Sequence, residues 1–209
     1  MRVLGIESSC DETAASVVED GTRMLSNVVA SSMDLHAKYG GVIPEIAARS
    51  HIEAIMPVIQ QALDDASCDW DDIDAIAVTY GAGLLGSLLI GVLTARTLAI
   101  TRNKPLYAIN HVEGHIYANF LTETTLPGYS LPNHQPIFPM LGVIVSGGHS
   151  QLVLWRDHFD YTLLGQTQDD AIGEAYDKVA KIIGLPYPGG INVARKAEEG
   201  DPHKYQLPK

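Results

Sequence analysis

Short runs of apolar residues alternate along this chain with segments in which apolar residues recur at helical spacing. The first three runs are typical of buried strands: 3–6, 14–18 and 25–30. From Pro44 to Ala66 apolar residues recur every three or four positions, which predicts a helix that Pro57 kinks or divides. The chain is therefore expected to open with a three-stranded meander followed by a long helix.

The same alternation continues through the middle of the chain. It predicts two strands, 73–78 and 106–109, and two helices, 87–100 and 112–121. Three strands followed by alternating helices and strands predict an α/β protein with a mixed sheet flanked by helices.

A second copy of the pattern begins after residues 122–139, a segment rich in proline and threonine that we interpret as a linker. It comprises three predicted strands and one helix: 140–145, 151–155, 161–164 and 169–183. The chain then turns polar after Lys196, so we interpret the second unit as begun but unfinished and the chain as truncated. We expect two domains, 1–133 and 134–209.

The bulk composition narrows the class of protein. Of 209 residues, 46% are hydrophobic and 19% are charged, which is ample for a substantial core. The longest apolar stretch, 84–100, contains polar residues and Arg96, so it predicts a buried helix rather than a membrane span. The first ten residues lack a signal-like apolar segment, and two cysteines predict no disulfide framework, which favours the cytoplasm. The net charge of −11 argues against this chain alone holding a nucleic-acid backbone.

The most informative segment is His111-Val112-Glu113-Gly114-His115, which directly follows a predicted strand. Histidines four residues apart lie one turn apart on one helix face, so both imidazoles can bind one metal ion. The alternative is two unrelated surface or capping histidines. Zinc proteases place a glutamate directly after the first histidine, where this chain has Val112. Glu113 is turned by about 100° from that position, so a protease would lack its base.

Four polar or glycine-rich junctions lie at ends of predicted strands or helices: 7–13, 80–87, 146–150 and 186–190. Clustered hydroxyl and backbone N–H groups suit a phosphate, and Asp11 and Glu12 can position a metal ion, a water molecule or an amine. An ordinary polar turn, packing of small residues and a plain hairpin are the alternatives for the first three. Taken together, the four junctions favour a nucleotide cleft between two lobes.

Four segments of the chain form a recognisable set: 5–13 (GIESSCDET), 111–115 (HVEGH), 145–152 (VSGGHSQL) and 169–178 (DDAIGEAYDK). Together they resemble the bacterial tRNA adenosine threonylcarbamoyltransferase family, once described as O-sialoglycoprotein endopeptidases. The resemblance covers essentially the whole chain in order and spacing, although Ala82 and Ile191 stand where the family usually has proline. It implies an actin-like ATPase fold of the sugar kinase and Hsp70 type, with one complete lobe and the start of a second.

The resemblance also implies roles for individual residues. His111 and His115 would bind one divalent metal ion, iron or alternatively zinc. Asp11 and Glu12 would be the catalytic candidates, with Glu12 near the reacting centre. An adenine nucleotide or threonylcarbamoyl-AMP would be held by Ile144, Val145, Ser146, Gly147, Gly148, Asp177 and Gly190. The family's third metal ligand, an aspartate, lies further along than this chain extends.

The implied reaction transfers the threonylcarbamoyl group from threonylcarbamoyl-AMP to N6 of the adenosine next to the anticodon, in tRNAs that read codons starting with A. The implied partners are tRNA, an inactive paralogue of the same fold and a small ATPase, and no membrane is involved. A metalloprotease and a non-catalytic, paralogue-like scaffold are the alternatives, while a sugar kinase would not need the histidine pair. We expect the 209-residue chain alone to be inactive.

Overall fold

The computed structural model describes residues 1–206 and shows an α/β protein, as the sequence predicts. Contacts divide the chain into two compact units, one of Met1–Met140 and one that starts at Leu141. The predicted domains, 1–133 and 134–209, and the roles assigned to them stay predictions, and residues 207–209 lie outside the described residues.

The first unit is built on a six-stranded mixed sheet. Its helices and strands are β1 (Arg2–Glu7), β2 (Glu12–Glu19), β3 (Arg23–Ser31), α1 (Met33–Ala37), α2 (Pro44–Asp65), β4 (Ala75–Gly81), α3 (Leu85–Arg102), β5 (Leu106–Asn110), α4 (His111–Tyr117) and β6 (Glu123–Thr124), with a 3₁₀ turn at Ala118–Phe120. Across the sheet the strand order is β5-β4-β1-β2-β3-β6. The first three strands pair antiparallel, whereas β4 runs parallel to both β1 and β5. A meander followed by parallel strands joined by helices agrees with the actin-like lobe that the sequence resemblance implies.

The core of the first unit lies where α2 and α3 pack on the sheet. Leu4 of β1 and Ile76 of β4 are fully buried there, against Ile59 of α2 and Ala95 of α3 in the same cluster. By length and composition α3 could cross a membrane. The sequence predicts a buried helix, but only one face of α3, which includes Ala95 and Leu98, belongs to this core, while Leu85 and Ile100 are exposed.

Two short elements of the first unit were not predicted. The helix α1 has five residues, and β6 is a two-residue strand within the segment interpreted as a linker. Both are too short for a hydrophobic period to reveal them. Pro57 does not divide α2, because the buried face continues across it through Ile55 and Val58.

The second unit starts a second meander. It contains β7 (Met140–Val145), β8 (Ser150–Asp157), β9 (Asp160–Gln166), α5 (Ile172–Ile182) and α6 (Gly189–Ala197). The three strands form their own sheet in the order β7-β8-β9. The two meanders therefore build separate sheets, as predicted for a repeated unit, while α6 was not predicted.

We predict that Leu4→Ala lowers the free energy of unfolding of the chain by about 2–5 kcal/mol, because it leaves a cavity between the sheet and its helices. The control is Leu93→Ala on α3, where the side chain is 50% exposed. Urea unfolding followed by circular dichroism measures both. Equal losses in the two variants would contradict the described core.

Candidate metal centre and nucleotide loop

The carboxyl ends of three neighbouring parallel strands meet at one edge of the first sheet. Glu7 is the last residue of β1, Thr79 lies near the end of β4, and His111 follows β5 directly. The register places Thr79 opposite Ile109, so these ends lie level with one another. In α/β proteins this edge is where ligands bind.

Asn110 fixes the start of α4. Its side-chain oxygen accepts hydrogen bonds from the backbone N–H groups of Val112 and Glu113, at 2.9 and 3.3 Å. An asparagine in this position satisfies N–H groups that have no partner inside the helix. The helix therefore begins with His111, one turn before His115.

The two histidine rings converge, as their spacing predicts. Their Nε2 atoms lie 3.1 Å apart, and the ring centroids are 4.6 Å apart with the rings nearly perpendicular. Two nitrogens bonded to one ion at about 2.1 Å are 3.1 Å apart when the angle at the ion is about 95°. The pair therefore fits one metal ion, although the same separation also suits a hydrogen bond between the imidazoles.

This centre offers two protein ligands. Within residues 1–206 there is no group of three or more histidine, cysteine, aspartate or glutamate side chains that could hold a metal ion. Metal binding by His111 and His115 stays a prediction.

Glu7 connects the strand ends to the histidine pair. Its Oε2 lies 3.1 Å from Nδ1 of His111 and accepts a hydrogen bond from the Thr79 hydroxyl at 2.6 Å. The other oxygen, Oε1, accepts from the backbone N–H of Ser9. Burial raises the pKa of Glu7, but hydrogen bonds from His111, Ser9 and Thr79 outweigh burial and lower this pKa to about 2. Glu7 is therefore a carboxylate at neutral pH.

The sequence assigned no role to Glu7 or Thr79. The signal that could have found them is the alignment of parallel strand ends, since β1, which ends at Glu7, pairs with β4, and β4, which carries Thr79, pairs with β5. That signal needs the strand order, which apolar spacing alone does not give.

The hydroxyl groups of the first junction are bound within the protein. Ser8 donates to the carbonyl of Ser87 at 2.9 Å, and the Ser9 hydroxyl lies 3.2 Å from Nδ1 of His111. Gly83, in the second junction, packs against Ser9 so closely that an added Cβ would lie 2.5 Å from the Ser9 carbonyl oxygen. Gly83 thus serves close packing, which was the alternative for that junction.

Asp11 and Glu12 lie between β1 and β2. The carbonyl of Asp11 accepts hydrogen bonds from the backbone N–H and the hydroxyl of Ser32, which anchors the segment. Glu12 is exposed at the start of β2. Its partial burial, and then the negative charges of Asp11 and Glu7, raise the pKa of Glu12. Next to this segment, Nε2 of the buried His51 lies 3.0 Å from the carbonyl oxygen of Cys10.

The predicted nucleotide loop joins β7 to β8. Ile144 is buried, whereas Gly147 and Gly148 are exposed. The loop closes through a hydrogen bond from the N–H of Ser146 to the His149 carbonyl, at 2.8 Å. Gly173, at the start of α5, packs against this loop, since a Cβ there would lie 2.7 Å from the Cα of Gly147. The glycines therefore let a helix start and a tight loop approach each other.

The other predicted nucleotide residues lie on α5, which carries Asp177, and at the start of α6, which carries Gly190. Asp177 of α5 accepts a hydrogen bond from the backbone N–H of Gly189 at 2.7 Å, so one of its carboxylate oxygens holds the two helices together. Gly190 follows, with open space where its Cβ would be. Both parts of the predicted nucleotide site, the β7–β8 loop and the α5–α6 junction, pack on α5. Their role in binding a nucleotide stays a prediction.

Comparison with known proteins identifies the family of the chain. The family model for tRNA N6-adenosine threonylcarbamoyltransferase matches residues 23–209. The chain belongs to this family. A family member from Thermomicrobium roseum is 55% identical over the whole chain, which spans 56% of that relative's length. Another, from Anaeromyxobacter sp., is 52% identical over the whole chain and 60% of its own length.

Solved structures resemble the chain only loosely. A protein with similarity to peptidase YeaZ from Pseudomonas aeruginosa is 16% identical, with a TM-score of 0.46 over 78% of this chain and 63% of that one. A putative N-acetylglucosamine kinase from Porphyromonas gingivalis is 15% identical, with a TM-score of 0.41 over 96% of this chain and 62% of that one. TM-scores this low add nothing to the assignment of the family.

We predict that Asn110→Ala lowers the free energy of unfolding of the chain by about 1 kcal/mol, because α4 loses its cap. Asn110→Asp keeps an accepting oxygen and serves as the matched control. Urea unfolding measures the difference between the two variants. If both variants were equally stable, the capping role of Asn110 would be ruled out.

Proposed function

We propose that the whole protein transfers a threonylcarbamoyl group from threonylcarbamoyl-AMP to N6 of the adenosine next to the anticodon of tRNA. Family membership supports this, because the relatives are named for transfer to N6 of tRNA adenosine. The chain spans about 56–60% of the relatives' length, so the activity is proposed for the whole protein. The observation that carries the proposal is the convergence of His111 and His115, whose Nε2 atoms lie 3.1 Å apart.

The proposed reaction is an acyl-type transfer. The N6 amine attacks the carbamoyl carbonyl carbon, the new C–N bond forms, and the bond from that carbon to the phosphate oxygen breaks. AMP leaves with the electron pair, and the amine loses a proton. A divalent metal ion at His111 and His115, iron or zinc, would supply Lewis-acid stabilisation of the developing charge on oxygen.

The chain's own residues bind the reactants and handle the proton in this proposal. Glu12, with Asp11 beside it, holds the amine and accepts its proton, and the raised pKa of Glu12 supports this use. The segment Ile144–Gly148, in which Gly147 and Gly148 are exposed, holds the adenylate, and Asp177 and Gly190 contact its adenosine part. Correct positioning alone can supply much of the rate acceleration.

Binding of tRNA requires help from other proteins. The chain carries a net charge of −11, which repels a nucleic-acid backbone. We infer that the inactive paralogue and the small ATPase implied by the family supply the missing surface, and that the reaction takes place in the cytoplasm. A metalloprotease is not favoured, since Val112 occupies the position of the protease base.

The proposal predicts that His111→Ala lowers transfer by roughly 100-fold or more, because the metal ion loses one of its ligands. The assay follows labelled threonine from threonylcarbamoyl-AMP into tRNA in the presence of the partner proteins. The protein tested is this chain joined to the C-terminal remainder of the Thermomicrobium roseum relative. The matched control is His134→Ala, which removes an exposed histidine of the same unit.

The same assay separates the proposal from its rivals. We expect no transfer by the 209-residue chain alone, and transfer by the extended protein. Absence of transfer by the extended protein, together with cleavage of a glycoprotein, would replace the proposal with a protease. Full activity of the His111→Ala variant would remove the metal centre from the mechanism.

A further inference from the structure

We propose that Glu7 is a positioning residue that fixes the proton of His111 on Nδ1, so that Nε2 presents its lone pair to the metal ion. The inference rests on the metal centre of the proposed function and adds to it a residue from the first strand. It explains why a charged side chain stands at the end of β1, where the sequence assigned it no role.

The contacts of the Glu7 carboxylate show which atoms around it donate hydrogen bonds. Oε1 of Glu7 accepts from the N–H of Ser9, and Oε2 accepts from the hydroxyl of Thr79. Nδ1 of His111 lies 3.1 Å from the same Oε2. A carboxylate only accepts hydrogen bonds, whereas the Ser9 hydroxyl, 3.2 Å from the same Nδ1, can either donate or accept. The arrangement that gives Oε2 a donor at His111 therefore puts the hydrogen on Nδ1.

The position of the hydrogen on the His111 ring decides which ring nitrogen can bind a metal ion. A neutral imidazole carries one N–H, so a hydrogen on Nδ1 leaves a lone pair on Nε2. Nε2 of His111 is the atom that faces Nε2 of His115, at 3.1 Å. Glu7, His111 and the ion would then form the carboxylate–histidine–metal arrangement that orients ligands in many metal sites.

The Glu7 carboxylate is held in place by its neighbours. Thr79 is 7% exposed, and its hydroxyl lies 2.6 Å from Oε2 of Glu7. Glu7 and Thr79 belong to neighbouring parallel strands, β1 and β4. The carboxylate thus belongs to one strand and is held by a hydroxyl of the next strand, with a second hydrogen bond from the backbone N–H of Ser9 just after β1. Support from the sheet favours a precise ligand orientation.

One rival arrangement uses the same contacts. If His111 carried hydrogens on both ring nitrogens, Nδ1 would donate to Glu7 and Nε2 would donate to His115. The pair would then be a structural hydrogen bond, and Glu7 would stabilise a charged imidazole instead of orienting a ligand. The two arrangements differ in the hydrogen on Nε2, which is measurable.

The first test is zinc binding by the 209-residue chain, measured by competition with a chromophoric chelator. Glu7→Gln keeps the shape of Glu7 but replaces one of its two accepting oxygens with a donating NH₂ group and removes its charge. We therefore expect zinc affinity to fall about 10–100-fold. The control is Glu53→Gln on α2, which removes the same charge from an exposed position. His111→Ala marks the affinity of the chain without the centre.

The second test reads the tautomer directly. Nitrogen-15 NMR of the imidazole rings, with zinc removed at neutral pH, should show the His111 hydrogen on Nδ1 in the unmodified chain. Thr79→Val removes the hydroxyl that holds Glu7 and should weaken zinc binding several-fold. Thr79→Ser retains the hydroxyl and should restore binding. This pair also decides the matter if Glu7→Gln fails to fold.

The outcomes separate the inference from the function on which it rests. If His111→Ala weakens zinc binding and Glu7→Gln does not, Glu7 has no positioning role while the metal centre stands. If His111→Ala leaves zinc binding unchanged, the metal centre itself fails, and the inference fails with it. A hydrogen on Nε2 of His111 in the unmodified chain would overturn the inference whatever the affinities.

Discussion

The parallel pairing of β1, β4 and β5 is the constraint on which the candidate metal centre depends. It brings the carboxyl ends of three strands, far apart in sequence, to one edge of the sheet. Without this pairing Glu7 would not reach a residue that lies 104 positions further along the chain. The buried core under α2 and α3 keeps the three strands in register, so the geometry of the site depends on the packing of the core.

At that edge of the sheet, a connected set of hydrogen bonds positions the two histidines. Asn110 ends β5 and caps α4, which puts the histidines on one helical face. Glu7 meets the first of them, and Thr79 and Ser9 hold Glu7 in place. The charges in this chain are mostly acidic, and Glu7 is the acidic group that the surrounding donors keep ionised beside the histidine pair. The site thus combines a fixed negative charge, two imidazoles and an open edge, which suits an ion that stabilises negative charge developing on oxygen.

The α/β class, the two meanders and the convergence of His111 and His115 could be predicted from the sequence. Apolar spacing identifies long elements, and histidines four residues apart on a helix lie on the same face. The contact between Glu7 and His111 could not be predicted, because it depends on strand order. Likewise the sequence indicated that the hydroxyls of Ser8 and Ser9 could hold a phosphate. In the structure the Ser8 hydroxyl donates to the Ser87 carbonyl, and the Ser9 hydroxyl lies beside Nδ1 of His111. Gly83 has no side chain and therefore packs closely against Ser9. The helix α6 was not predicted, because its few apolar residues lie among glycines and polar residues and give no clear helical period.

The central claim is that His111 and His115 bind one metal ion through their Nε2 atoms. Crystals of the chain grown with zinc, measured on both sides of the zinc absorption edge, test it most directly. The account predicts an anomalous peak about 2.1 Å from both Nε2 atoms. Crystals that show zinc bound elsewhere, with the two Nε2 atoms still in direct hydrogen-bond contact, would contradict it.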